Sequence, residues 1–200
     1  ATLKETVMEE AELSDIDFSQ ATLGSSSFKN AKIKKVNFSS ANLEGVTFED
    51  ATLMSCNFKN ANLTNCDFSQ AKLSDCEFQG TNLDHSSFYS TTIDNCNFAF
   101  SRMLYSFLKQ VIISKSRFGG TNARGSDLSF SKMTEVDMKG AILKYADFNS
   151  CTHTDVNMTN SNLIGADLKD AQCAGVQWEE VNLEGSDLTY ANFEGANFKN

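Results

Sequence analysis

Cys151, His153 and Cys173 are the residues of this 200-residue chain with the most reactive chemistry in reach of one another. Cys151 and His153 stand two apart, the spacing that puts both side chains on one face of an extended segment. Cys173 follows His153 by twenty residues. Together they could form a thiol–imidazole site; the plainer reading is a neutral imidazole that fills core space with a hydrogen bond to a neighbour, or a local distortion of the coil. The other cysteines are Cys56, Cys66, Cys76 and Cys96. No pair forms C-x-x-C and no histidine lies near them in the pattern, so disulfide and metal readings yield to buried thiols that pack like alanine in a reducing compartment. No G-x-S-x-G elbow and no phosphate loop is present. The stretch 120–126, Gly-Thr-Asn-Ala-Arg-Gly-Ser, lacks the lysine such a loop needs. No cofactor is expected, and the chain reads as no enzyme.

What must position these residues is a strict period of five. Of the 40 positions whose number leaves 3 on division by 5, 37 hold Leu, Ile, Met, Phe or Trp, the exceptions being Ala123, His153 and Cys173. Thirteen of the 16 Phe residues fall there, where chance would place about three. Two residues earlier the position carries Ala, Ser, Thr, Val or Cys, with Ile16 the one larger side chain. Each unit therefore reads small, polar, large apolar, polar, polar. The small and large residues face inward together from a short strand, and a corner follows. A helix needs apolar spacings of three and four, and a long strand needs strict alternation; neither fits.

Within the first half Phe alternates with Leu or Ile at the central position, a period of ten from Phe18 to Phe58. Two units cannot close a ring around bulky side chains, so closure at four units, twenty residues, is the smallest that geometry allows. Residues 61–65 (Ala-Asn-Leu-Thr-Asn), 166–170 (Ala-Asp-Leu-Lys-Asp) and 191–195 (Ala-Asn-Phe-Glu-Gly) resemble the A-(D/N)-L-X-X unit of pentapeptide-repeat proteins, and the resemblance spans the chain. It implies an all-β, right-handed quadrilateral parallel β-helix, one domain over 1–200 with about ten coils. At the normal strand spacing the rod is roughly 45–50 Å long. One inner column would run from Phe18 through Phe118 to Trp178 and Phe198, and an opposed one from Met8 through Phe88 to Leu188. The absence of proline suits strands that all donate to neighbours.

Two outward features depart from a bland polar surface. Asp127, Asp147, Asp167 and Asp187 recur at twenty-residue spacing and should form an acidic ladder, where a mimic of DNA phosphates would carry charge. Asp or Asn is also the commonest residue of the repeat at that place. Phe100, Leu104, Tyr105, Phe107 and Ile112 put large apolar side chains outward, beside Arg102 and Lys109, with Tyr145 two coils on in the column of Tyr105. That is the composition of a protein-contact patch; a bulged coil burying them on themselves is the alternative. His85 falls at an outward corner and should be solvated.

The net charge of −9, with pI near 4.7, excludes direct nucleic-acid binding through a basic stripe. No apolar run reaches membrane-spanning length and no signal peptide opens the chain, so a cytoplasmic address is expected. The missing initiator Met points to processing or to a piece of a longer chain. Phe193 and Phe198 lie in the last coil, which predicts a trimmed cap, a homodimer through that coil, or a larger partner. The expected function is a non-catalytic rod that binds a protein or serves a structural role. The resemblance to the quinolone-resistance branch of the family implies an alternative, a DNA mimic that protects gyrase or another topoisomerase. The chain departs from that branch in lacking inserted loops and a C-terminal dimerising helix. An ice-binding surface is excluded, because the outward columns mix Lys, Asn, Asp and Thr rather than repeating Thr.

Overall fold

The computed structural model describes residues 1–199 and places the chain in an all-β parallel solenoid. Residues twenty apart lie side by side from Thr2↔Thr22 to Gln177↔Asn197, all in parallel register. Each coil of twenty thus has four faces of five residues. We number them from the first residue of each coil: first face 1–5, second 6–10, third 11–15, fourth 16–20.

Only the third face carries three-residue strands. β1 (Glu12–Ser14), β2 (Lys32–Lys34), β3 (Thr52–Met54), β4 (Lys72–Ser74), β5 (Thr92–Asp94), β6 (Ile112–Ser114), β7 (Lys132–Thr134) and β8 (Thr152–Thr154) form one ladder in sequence order. That makes eight strands on this face, fewer than the ten coils expected. The next two coils continue it through single bridges, Thr152↔Gln172 and Gln172↔Asn192. The cause is the corner. At the other corners, Thr6 and Val181 aside, the residue opening a face donates its N–H to the central carbonyl three residues back, as Ala61 N–H does to Phe58 (2.9 Å). After the third face that turn bond is missing from the first eight coils among the described residues. It appears only at Val176 N–H to Cys173 (3.4 Å) and Ala196 N–H to Phe193 (3.0 Å).

A second feature of the corners was not foreseen. The fifth residue of every unit from Glu5 to Gly195 has positive φ, between 48° and 71°. Nine of these positions are Gly and thirty are not. A left-handed residue other than Gly costs about 1–2 kcal/mol, and the ladder bonds of adjacent coils must offset it. Asn, Asp and Gly tolerate the conformation best; Phe and Tyr gain nothing from it.

The core is two facing columns of phenylalanine. On the fourth face Phe18, Phe38, Phe58, Phe78, Phe98 and Phe118 stack with centroids 4.5–5.6 Å apart. On the second face Phe28, Phe48, Phe68 and Phe88 do the same at 4.8–5.2 Å. Across the rod the columns meet edge to face at 5.9–6.3 Å. Both arrangements are favoured by the ring quadrupole. Leu and Ile fill most of the other two walls, and Phe148, Met158 and Trp178 continue the two columns with almost no exposure. Among the described residues no helix is long and apolar enough to cross a membrane.

Candidate functional site

The small inward residues are not equivalent. Cys56, Cys76 and Cys96 stack at the open corner that follows the third face, where backbone amides lack their turn partner. Cys96 Sγ accepts from Cys76 N–H (3.4 Å), and Ser116 Oγ accepts from Cys96 N–H (3.0 Å). The thiols in turn donate to the carbonyls of Met54, Ser74 and Asp94 at 3.2–3.5 Å. Cys96 thus supplies an acceptor for an amide that alanine would leave open, whereas the three carbonyls also accept from the N–H groups of Lys35, Ser55 and Asp75. All six cysteines are buried and unbridged. Hydrogen bonding to Cys76 and burial push the Cys56 thiol up, and burial pushes up that of Cys66.

Cys151, His153 and Cys173 come together. Cys173 lies one coil beyond His153 in the same column, and His153 Nδ1 is 3.5 Å from Cys173 Sγ. The three donor atoms lie within 4.8 Å of one another, fully inside the rod. Phe148 meets the imidazole edge-on at 5.6 Å. His153 Nε2 is buried with no partner, so the single bond expected for a core histidine leaves half its polar capacity unmet. An orphaned polar atom of this kind costs ~1–3 kcal/mol. The Cys173 thiol is drawn down by the Cys151 thiol, and His153 adds to this.

The outward aromatics divide among faces. Phe100 sits at the corner before the first face, 70% exposed, and Tyr105 at the corner after it. Arg102 and Leu104 lie between them, so four of the six expected contact residues share one surface. Phe107, 54% exposed, is around the corner on the second face; Ile112 belongs to β6 on the third face and cannot meet the same flat partner. Both point outward, so the self-burying bulge is absent. Tyr145 and Ile142 extend the first-face surface two coils on, with Arg124 over the Tyr145 ring at 5.4 Å. His85 is exposed and stacks on Tyr105 at 5.7 Å.

The corner rings are fixed in orientation. A Cβ added at Gly120 would fall 2.7 Å from the Phe100 ring; at Gly125 it would fall 2.6 Å from Tyr105, and at Gly165 2.7 Å from Tyr145. Each aromatic therefore lies flat over a glycine of the next coil. An open trough of about 540 Å³, lined by Phe100, Gly119, Gly120, Gly140 and Asn160 among others, runs beside the first of them. Sequence reading missed Asp84. It is nearly buried, accepts from Arg102 Nε (3.1 Å) and Leu104 N–H (3.0 Å), and pairs with Arg102 Nη2. Its distance of eighteen residues from Arg102 is a diagonal between coils and falls in no column. This two-pronged grip holds the guanidinium in place on the first face.

The acidic ladder exists and is continuous, Asp127↔Asp147↔Asp167↔Asp187, with Phe107 heading the same column. One oxygen of each carboxylate is committed to structure: Asp127, Asp147, Asp167 and Asp187 accept from the N–H two residues on, at 2.8–3.0 Å. Asn accepts in the same way on other faces, as Asn57 does from Lys59 (3.1 Å). The preference for Asp or Asn before the central residue is thereby explained. Lys169 Nζ bridges Asp167 and Asp187 at 3.1 Å each. Among the described residues Asp127 and Asp147 have no ion pair, so the free charge is concentrated there.

Asp187 titrates low, at about 2, held down by hydrogen bonds from Thr189 and then by Lys169. A depressed carboxylate contributes stability above its unfolded value of about 3.9. That contribution fades as pH falls from about 4 through about 2. In Lys169→Gln, NMR titration should show the Asp187 midpoint rise only part of the way, since the Thr189 bonds remain. An unmoved midpoint would remove Lys169 from the account.

A filled parallel solenoid with five-residue units, four to the coil, defines a rigid scaffold that offers its outer faces and corners. The chain belongs to the pentapeptide-repeat family: the model of the pentapeptide repeat region matches residues 51–128, and that of pentapeptide repeats in eight copies matches 11–50, 31–70, 124–160, 141–172 and 166–200. Its fold is that of HetL, a pentapeptide repeat protein involved in heterocyst differentiation regulation from the cyanobacterium Nostoc sp. strain PCC 7120. The TM-score is 0.94 at 21% identity, over 97% of this chain and 87% of that one. Weaker likenesses are to a thylakoid-lumen pentapeptide repeat protein from Arabidopsis thaliana (TM-score 0.40, 29% identity, 52% of this chain and 69% of that) and to QnrB1, a plasmid-mediated fluoroquinolone resistance protein (TM-score 0.42, 15% identity, 100% and 93%). No curated protein matches the chain significantly.

Proposed function

We propose that this chain is a non-catalytic protein-interaction module whose contact surface is the first face between the Phe100 corner and the Tyr105–Tyr145 corner. The observation that carries this reading is the placement of aromatic rings at left-handed corners. Phe100, Tyr105 and Tyr145 have φ of 54–58° and remain about half exposed or more. They add strain and exposed apolar area to the rod, and neither serves its stability. Rigid aromatics beside anchored arginine are the usual composition of a binding hot spot. Arg124 and Lys144, beside an Arg102 whose charge Asp84 offsets, give this face a basic character within an acidic molecule, which suits a partner with acidic residues around an apolar centre.

The test is affinity capture from the host cell with the chain and with a Phe100→Ser, Tyr105→Ser variant, in parallel. A partner should be retained by the first and weakened by at least about 30-fold in the second, the ~2 kcal/mol expected of hot-spot loss. Equal retention by both would sink the proposal. Phe107→Ser is the companion variant, weaker in effect because that ring lies around the corner. The six unbridged thiols suit a reducing compartment, and a cytoplasmic location is proposed on that ground. A homodimer through the last coil would use Leu188 and Phe198, both partly exposed.

A second reading, mimicry of nucleic-acid phosphates toward gyrase or another topoisomerase, is favoured by the unpaired Asp127 and Asp147. It predicts that the protein relieves or inhibits gyrase supercoiling and that Asp127→Lys, Asp147→Lys abolishes the effect. No effect at micromolar protein would exclude it.

A further inference from the structure

We infer that Cys151, His153 and Cys173 form a closed metal site that takes a soft monovalent cation, Cu⁺. The donors are two thiol sulfurs and an imidazole nitrogen, the set that selects thiophilic metals over hard ones. All three donor atoms lie within 4.8 Å of one another. A metal at the centre of a trigonal set, with bonds of about 2.0–2.3 Å, holds its donors roughly 4 Å apart. The three donors therefore already stand near the spacing that a bound ion requires.

The repeat itself shows that these residues are not needed for the fold. At the positions of His153 and Cys173 the other coils of the third face hold Leu, Ile, Met or Phe, and at that of Cys151 mostly Ala. The four remaining cysteines serve as an internal contrast. Cys56, Cys66, Cys76 and Cys96 send their thiols to backbone carbonyls and have no imidazole among them. At the cluster, by contrast, His153 keeps one nitrogen against Cys173 and its other nitrogen without any partner. The cluster also lies where the corner after the third face closes into a hydrogen-bonded turn, at Cys173 and Val176.

A disulfide is the rival use of two neighbouring thiols. Cys151 and Cys173 are offset by one coil and two residues along the strand, which separates their Cα atoms by on the order of 8 Å. That is beyond the reach of an unstrained bridge. Zinc is disfavoured for a different reason. Structural zinc takes four protein ligands, and the described residues supply three, with His153 only 2% exposed and both sulfurs sealed from water. Cu⁺ is satisfied by three donors, two soft thiolates and one neutral imidazole. Both thiol protons go to solvent on binding, the occupied site carries one net negative charge, and no change of oxidation state is involved.

Because the site is sealed, the ion must enter as the rod folds. The test is to refold the chain without oxygen in the presence of Cu⁺ or Zn²⁺, then to challenge it with a Cu⁺ chelator. Wild-type protein should retain one equivalent of Cu⁺, and X-ray absorption should show sulfur and nitrogen ligands. His153→Leu and Cys173→Leu, which restore the repeat's own residue types, should lose retention at least about 10-fold while their melts stay cooperative. Cys56→Ala should retain copper like wild type. No retention by wild type, retention unchanged in the two Leu variants, or uptake of Zn²⁺ in preference to Cu⁺ would each overturn the assignment.

Discussion

Phe78→Ala should lower the stability of the rod by about 3–5 kcal/mol, the range for removing a buried phenyl ring. Phe78 has no exposed surface, stacks on Phe58 at 4.7 Å and on Phe98 at 4.5 Å, and meets Phe68 edge-on at 5.9 Å. The loss therefore removes three ring contacts as well as buried area. Its neighbours cannot collapse inward, because each is held by its own coil's ladder. Solenoid stability is close to a sum of coil and interface terms, so the damage should stay local. Hydrogen exchange should rise in the coils around residue 78 and little near residue 160. Chemical denaturation measures the size of the effect, and a cost below about 1 kcal/mol would mean that the columns do not carry the core.

Asn62→Pro should be the second large effect. Asn62 N–H donates to Ala41 C=O at 3.0 Å in the interior of a ladder, with coils on both sides. Proline removes that donor and leaves the carbonyl buried without it, ~1–3 kcal/mol by itself. The substitution also deletes the Asn62 Oδ1 acceptor for Thr64 N–H (3.2 Å) and the Nδ2 bond to Asn42 (3.3 Å). The ring adds steric conflict in the middle of the sheet, where proline is not accommodated. A loss of at least about 3 kcal/mol is expected, and Asn62→Thr should keep most of the stability, as Thr22 holds the same column. A melt for Asn62→Pro equal to wild type would contradict the paired ladder.

The columns were legible because inward and outward positions differ in polarity, and polarity repeats with the coil. Phe58 above Phe78, or Cys76 above Cys96, follows from counting by twenty. Backbone handedness is not written in polarity, and the corner residues Glu5, Lys35, Ser55 and Phe100 share only their φ. Hence the strain at the aromatic corners could not be read beforehand. Neighbours along the chain also misled: Tyr105 and Phe107 are two apart yet on different faces, whereas Phe100 and Tyr105 border one. The Asp84–Arg102 pair is diagonal and lies outside any column. His153 and Cys173 stood out in sequence as exceptions, but the unpartnered Nε2 appears only in three dimensions.

The claim that the first-face aromatics exist for a partner, and not for the rod, separates from a structural role in one measurement. The triple variant Phe100→Gly, Tyr105→Gly, Tyr145→Gly relieves three left-handed residues and should melt at or above the wild-type temperature. Its stability is to be measured beside its affinity for the captured partner. Stability should be kept and binding lost by at least about 30-fold. A marked drop in stability with binding intact would show that these rings belong to the scaffold.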